Sequence, residues 1–583
     1  KIIIEELKMK NVLKYLLLAL IAVSQLFACG GSDDEKTPAD NFDVQFTVPG
    51  SVDVTEGGEC TFAVSGGGKS PLTTDTFILE SDAGISYVWP IVNTSSDSFT
   101  VRLADGCETG YYKVFVKRDA RKKSFGRIYI NIVEDIDFKP DAGTTVYGIV
   151  SSAGVGVENV VVSDGAEVTV TNEKGIYQLK SAKKWGYVFI SVPSGYEVPS
   201  VGVLPQFHRA LKNSADVVER ADFKLEKVDG QDSYKIFMLG DMHLANRTGD
   251  LGQFAQFTSD LTDYMTRHKG EKMYALTLGD MTWDLYWYSN SYYFPQYLNT
   301  INSQIKNLQI FHTMGNHDND FQTRSDYDAA VKYVDQICPT YYSFNIGKVH
   351  YVVMDDIDCS SYDGSTSRNY VASLSAEQLD WLAKDLSYVA KTTPVVVAMH
   401  AQVFYPTTSG FKIDHDPVNT LRLFDILDGY TVRFVTGHTH KLFNVTPDAP
   451  IVDGHNFREY NSGSVCASWW WSGNLTPGIH IGTDGTPGGY GIWDVTGTDF
   501  QCLYKSTGWP EEYQFRSYDL NNVHFSMADV PLMPSDISAS VKNAYMQYVN
   551  AYPQNNDNEV LINIWNWNSD WTCLLYTSPS PRD

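Results

Sequence analysis

The stretch SYKIFMLGDMHLANRTGD, residues 233 to 250, decides the fold. Its apolar run, Tyr234 to Leu239, has the length of one buried strand and stops abruptly at Gly240. There the chain presents Asp241 and His243, two residues apart and followed by a turn. One reading is a solvated carboxylate beside a loop histidine. The other is part of a metal site.

Downstream the pattern repeats. Leu251, Phe254, Phe257, Leu261 and Tyr264 recur at helical spacing, MYALTL reads as a strand, and a further helix precedes QIFHTM. Ser375 and Gln378 form a capping-box pair opening a helix that carries Leu379, Leu382 and Leu386, ahead of the strand PVVVAM. Strands alternating with amphipathic helices predict an α/β domain over residues 233–506, its β-sheets layered between helices. Five strand exits in a row end in ligand-type residues: Asp241 and His243; Asp280; Asn316, His317 and Asp318; His400; His438 and His440. Ligands bind at the carboxyl ends of strands in such folds, and five in series are hard to explain as solvated loops.

The flanks are built differently. Short alternating segments such as CTFAV and YYKVFV, parted by Gly, Ser and Asp clusters, predict an Ig-like β-sandwich over 42–135. A second sandwich is predicted over 142–228, where VYGIVSSAGVGVENVVVSDGAEVTVTNEKGIYQL resembles the prealbumin-like, carboxypeptidase-regulatory type. Residues 507–572 are aromatic, polar and strand-like, which predicts a truncated C-terminal β-rich module. The expected fold class is therefore multidomain, with two N-terminal β-sandwiches, a central α/β domain and a β-rich C-terminal part.

From Met9 the chain reads MKNVLKYLLLALIAVSQLFAC, with Lys10 and Lys14 ahead of an apolar core, Leu16 to Val23, and Ala28 before a cysteine. That is the grammar of a signal peptide, too short for a membrane span, so residues 1–28 are expected to be upstream read-through and leader. LFAC resembles a bacterial lipobox, which implies lipidation at Cys29, an acidic tether over 29–41, and attachment to the membrane of a bacterial envelope, the outer membrane being expected. Residues 573–583 read as one translated frame of a sequencing-library adapter. Of the eight cysteines, six remain once Cys29 and Cys573 are set aside. An exported chain favours pairing, and Cys60 with Cys107, Cys338 with Cys359 and Cys466 with Cys502 are the expected pairs. At 583 residues the chain is too long for one core, and its net charge of −25 argues against broad nucleic-acid binding.

Two aspartates, one asparagine amide and four histidines form a mixed oxygen and nitrogen set suited to manganese, iron or zinc. Seven ligands overfill one site but serve two ions sharing a carboxylate, an arrangement that can hold a hydroxide nucleophile for displacement at phosphorus. GDMH, GD, GNHD, the lone His400 and GHTH match, in order, the calcineurin-like metallophosphoesterase superfamily, and the flanking modules resemble its exported bacterial branch. The resemblance implies Asp241, His243 and His440 on a first metal, Asn316, His400 and His438 on a second, and Asp280 bridging. It also implies that His317 faces the substrate and protonates the leaving oxygen, work that suits an imidazole near neutral pH. Asp318 either orients His317 or caps the next turn.

Departures from the pattern bear on the substrate. Protein phosphatases of the superfamily carry an acidic residue three after the bridging aspartate and then a phosphate-clamping arginine; here Trp283 takes the first position, no arginine is near, and Asp284 comes one residue late. Two aromatic clusters, with Trp283, Tyr286 and Trp287 in one and Trp469, Trp470 and Trp471 in the other, either stack on a base, sugar or inositol ring or pack between modules. The expected function is hydrolysis of phosphate esters, inclined toward small-molecule or glycolipid phosphodiesters. A phosphomonoesterase or 5′-nucleotidase-like enzyme and a non-catalytic surface glycan-binding lipoprotein are the alternatives.

Overall fold

The computed structural model describes residues 43–522, apart from breaks at 56, 66, 82–83, 134–137, 212, 248, 366–368, 466–481 and 483, together with 556–568 and 571. The leader, Cys29, Cys466, Trp469 to Trp471 and residues 573–583 lie outside them. The chain divides into two compact units, Lys1–Asp135 and Ile136–Asp583. Among the described residues no helix is long and apolar enough to cross a membrane.

The first unit is a β-sandwich. Strands Ser51–Thr55, Arg121–Val133, Gly110–Arg118, Thr76–Ser81 and Ser86–Trp89 form one sheet in that order, and Glu59–Ala63, Ser98–Arg102 and Ile91–Thr94 form the other. Alternate residues point inward, so Phe46, Phe62, Phe77, Trp89 and Phe99 meet in one core. The second unit opens with the sandwich that contains Val146–Ser152, Val161–Ser163, Ile176–Leu179 and Tyr187–Ile190.

From Ser233 the pattern becomes layered. We number its main elements β1 (Ser233–Leu239), α1 (Asp250–Arg267), β2 (Lys272–Thr277), α2 (Phe294–Gln304), β3 (Gln309–Phe311), α3 (Asp326–Gln336), β4 (Tyr342–Ile346), β5 (Val349–Val353), α4 (Ala376–Leu386), β6 (Val395–Ala398), α5 (Pro417–Leu427), β7 (Val432–Thr436), β8 (Phe443–Val445), β9 (Phe457–Asn461), β10 (Gly489–Thr496) and β11 (Asp499–Ser506). One sheet runs β3-β2-β1-β10-β11 and the other β4-β5-β6-β7-β9-β8. In the first, β1, β2 and β3 are parallel and β10 returns antiparallel to β1; in the second, β5, β6, β7 and β9 are parallel.

The inner faces of the sheets meet. Phe311 of β3 stacks on Phe344 of β4 at 3.7 Å between ring centres, and the hydroxyls of Tyr234 and Tyr351 bond at 2.7 Å. Helix α1 covers the outside of one sheet through Phe257 on Tyr490, and α5 covers the other through Phe424 on Phe457. Central strands are apolar on both faces because both are covered, which is why Ile236–Leu239 reads as a continuous run and not an alternation, Lys235 before it being paired with Asp494.

The preceding sandwich shares this core. Trp381 donates its indole N–H to Ser163, Tyr341 its hydroxyl to the Gly165 carbonyl, and Ser343 to Ser191. Phe515–Asp519 and Val560–Ile564 pair antiparallel as a separate ribbon.

Two expectations are corrected. Cys60, Cys107, Cys338 and Cys359 are free thiols, so neither pair forms. Cys338 sits in the main core against Tyr333 and the His312 carbonyl, whereas Cys359 belongs to a separate small cluster with Ile357 and Tyr362. Cys502 is likewise a free thiol. At α4 the capping box is half made: Ser375 accepts from the Gln378 N–H, but the Gln378 side chain binds both backbone groups of Asp355.

Candidate metal centre

All five strand exits open at the same end of the two sheets. The first sheet delivers Asp241 and His243 after β1, Asp280 after β2 and Asn316 to Asp318 after β3, in a short turn. The second delivers His400 after β6, then His438 and His440 after β7. Their donor atoms cluster as Asp241, His243 and His440; as His243, Asp280 and His317; and as Asp280, His400 and His438.

The backbone there is unusual. Asp241, His243, Asp280, His438 and His440 all hold positive φ, between 46° and 65°. Asp, Asn and His tolerate this region better than other non-glycine residues, but each such residue still costs on the order of 1 kcal/mol. Neighbouring glycines are held by space as well. A Cβ on Gly279, itself at φ 85°, would lie 2.4 Å from His400 Nδ1, and one on Gly315 would lie 2.4 Å from the Asp280 N and Oδ1 atoms. The GD and GN pairs thus let the loops of β2 and β3 touch.

The spacing fits ions. His243 Nε2 and His440 Nε2 are 3.0 Å apart, His400 Nε2 is 3.0 Å from Asn316 Oδ1 and 3.1 Å from His438 Nδ1, and Asp280 Oδ2 is 3.3 Å from His400 Nε2 and 3.6 Å from His243 Nε2. Donors about 2.1 Å from a shared cation stand roughly 3.0 to 3.5 Å from one another, so these separations suit ligands. Burial pulls the His400 imidazole down, but the carboxylates of Asp280, Asp241 and Asp356 outweigh it and push it up to about 10, so a cation bound there has to displace a proton from this ring. Burial holds His243 and His438 down at about 4, which leaves them neutral, the form that ligates.

Surrounding groups fix the donors. His400 Nδ1 donates to the Leu278 carbonyl at 2.7 Å, turning Nε2 toward Asn316 and Asp280. Asp241 accepts the His438 N–H, and Asp356 accepts the N–H groups of His400 and Ala401. Glu459 ties β7, β9 and the segment after β6 together, accepting from Val403 N, Phe404 N and Thr436.

His317 is held at both ends. Its N–H donates to Asp280 Oδ1 at 2.7 Å, and its Nδ1 meets Asp284 Oδ1 at 2.7 Å. The carboxylate that reaches the ring is therefore Asp284 and not Asp318. Burial pushes the Asp284 carboxyl above its ordinary value, against the pull of His317. Asp318, expected either to orient His317 or to cap a turn, accepts from Gly315 N, Met281 N, Thr282 N and the Thr282 hydroxyl, so it laces the β2 and β3 loops together. Burial, with the Asp280 charge, pushes it up to about 7.

His243, Asp280, Asn316, His317, His438, His440 and Tyr370 line a cavity of about 110 Å³. Tyr370 follows no motif and was not foreseen. The rings of the aromatic cluster after Asp280 differ in burial. Trp287 is a core residue, bonded to Thr282 and packed on Phe294. Trp283 is buried between the rings of His243 and His317 and the guanidinium of Arg247, and Tyr286 is half-buried with its hydroxyl against Arg247.

Layered sheets with these donors at one end define a metallophosphoesterase domain, a hydrolase class. The chain belongs to the calcineurin-like phosphoesterase family: residues 234–442 match the calcineurin-like phosphoesterase model, residues 144–228 the model for its N-terminal part, and residues 459–579 the model for its C-terminal part. No curated protein matches the chain. Among solved structures, a DUF4784 family protein from Bacteroides caccae is similar at 10% identity with a TM-score of 0.13, over 34% of this chain and 47% of that one. The chain thus spans about half the length of that relative, and so slight a likeness carries no argument.

Proposed function

We propose that the chain hydrolyses phosphate esters with two transition-metal ions, manganese, iron or zinc, and that its substrates are small-molecule or glycolipid phosphodiesters. The observation that carries this reading is the spacing of the seven donors, with Asp280 Oδ2 facing His243 of one group and His400 of the other. Asp241, His243 and His440 would hold one ion, Asn316, His400 and His438 the second, and Asp280 both. When bound, the ions supply Lewis-acid charge and an activated water to the phosphoryl group.

The chain's own residues do the rest. Asp284 holds His317 Nδ1, which directs Nε2 to the ester and sets it to donate a proton to the departing oxygen. The cavity of about 110 Å³ is lined by donor residues, by His317 and by Tyr370, whose ring is placed to meet the organic part of an ester. We further propose, from the leader and lipobox alone, that a lipid on Cys29 anchors the chain in a bacterial outer membrane, so that its substrates lie outside the cytoplasm.

Metal analysis of the purified chain, paired with turnover of a mono- and a diester panel, tests the reading. Two ions per chain and diester cleavage are expected, with Asp280→Ala losing both ions and turnover by about a hundredfold or more. A folded chain that binds no metal, or binds two ions and cleaves no ester, points instead to a surface-binding lipoprotein.

A further inference from the structure

The outer face of the first unit's larger sheet gathers cations in an acidic chain. In the hairpin of Gly110–Arg118 and Arg121–Val133, alternate residues point away from the core, and along the first strand they read Tyr111, Lys113, Phe115, Lys117. The register sets Lys113 directly opposite Arg127, Lys117 opposite Lys122 and Tyr111 opposite Tyr129. All four cations are exposed. Like charges opposed across an antiparallel pair are destabilising, so two such pairs on one face cost the sandwich stability and add nothing to its fold. Among the described residues the carboxylates of this face are Glu80, which meets Lys122 at 2.5 Å, and Asp53, at the far edge, which accepts from Asn131 at 2.9 Å. Cations also lie over the rings: Lys122 Nζ is 4.0 Å from the centre of Phe115, and Arg127 Cζ is 5.4 Å from that of Tyr111.

We propose that this face docks on an anionic lipid headgroup layer. A sugar or a base stacks on a bare ring face. Here the protein's own cations lie over the rings, so what the surface offers is positive charge spread across neighbouring strands. A headgroup layer is broad and responds to charge, each basic residue near it adding to the attraction. In a chain of net charge −25 that attraction is local, because the acidic remainder is repelled and the sheet face decides how the sandwich turns. The length of chain ahead of the sandwich agrees. Cys29, the proposed lipidation site, precedes Asp43, the first described residue, by fourteen residues, a span of at most about 50 Å. A single acyl chain holds a protein only marginally, and a basic patch within its reach supplies a second attachment. The docking does not depend on the phosphoesterase reading.

Co-sedimentation with vesicles tests it, using the chain that begins at residue 29 and carries Cys29→Ser, so that no acyl group contributes. Binding to phosphatidylcholine vesicles that contain phosphatidylglycerol, no binding to pure phosphatidylcholine, and release by high salt are expected. Lys113→Gln combined with Lys117→Gln should weaken partitioning about tenfold or more, since two cations leave the face. Each of these substitutions removes a like-charge pair, so the thermal midpoint should not fall, which separates lost docking from lost folding. Lys113→Arg combined with Lys117→Arg, which keeps the charge, should bind like the wild type. Equal binding to the two kinds of vesicle, binding to neither, or a Gln double variant that partitions like the wild type would overturn the proposal. Preference for soluble polygalacturonate over the vesicles would overturn it as well and make the face a glycan site.

Discussion

At the scale of single residues, the donors were legible and their supports were not. Asp241, His243, Asp280, Asn316, His400, His438 and His440 stand at strand exits, where residue type and order mark them as candidate donors without coordinates. Asp284 stands one residue late against the family pattern, so the sequence leaves its role open. It reaches His317 because the short turn Asp284–Tyr286 folds back under the β3 loop, a contact set by tertiary structure and not by its distance from Asp280 in sequence. Replacing that carboxylate without changing its shape should therefore separate ligation from proton transfer. Asp284→Asn is expected to lower kcat about a hundredfold or more while metal content stays at the wild-type level. Unchanged kcat with full metal content would remove Asp284 from the mechanism.

At the scale of elements, helices and strands followed from periodicity, and the α1 face of Phe254, Phe257, Leu261 and Tyr264 is buried as its spacing requires. Cysteine pairing did not follow, because it depends on which elements fold next to one another. Glu459 escaped notice for the same reason: in β9 it looks like any strand carboxylate, yet it is buried against three donors from two neighbouring segments. Burial pushes it up from 4.5 to about 7, against those hydrogen bonds. The folded chain thus keeps a proton that the unfolded chain releases between pH 4.5 and about 7. Linkage then gives stability that falls as pH rises through this window, by up to about 3 kcal/mol, and is flat with respect to this group on either side. In urea titrations, Glu459→Gln should lack that component of the slope, whatever its absolute stability. A variant whose stability follows the wild-type slope across the window would refute the assignment.

At the scale of the whole molecule, composition shifts located the modules but could not tell which of them share a core. The sandwich over 144–228 does, through Trp381 on Ser163, Tyr341 on Gly165 and Phe207 packed at 4.5 Å on Tyr342. A chain that begins at residue 138 should keep the thermal midpoint of the phosphoesterase unit, while one that begins at 233 should lose stability and bind a hydrophobic dye, because it bares Tyr342, Phe344 and Trp381. Equal midpoints for the two would show the sandwich to be dispensable.

The pairing of β1 with β10 has a consequence for how the chain is made. The strand that carries Asp241 and His243 gains its second neighbour only when Gly489–Thr496 has been synthesised, some 250 residues later. Translation at about 5 to 20 residues per second leaves that edge waiting for tens of seconds. The nascent sheet is exposed to mispairing for that interval, although His440, the last of the candidate donors, has by then been made.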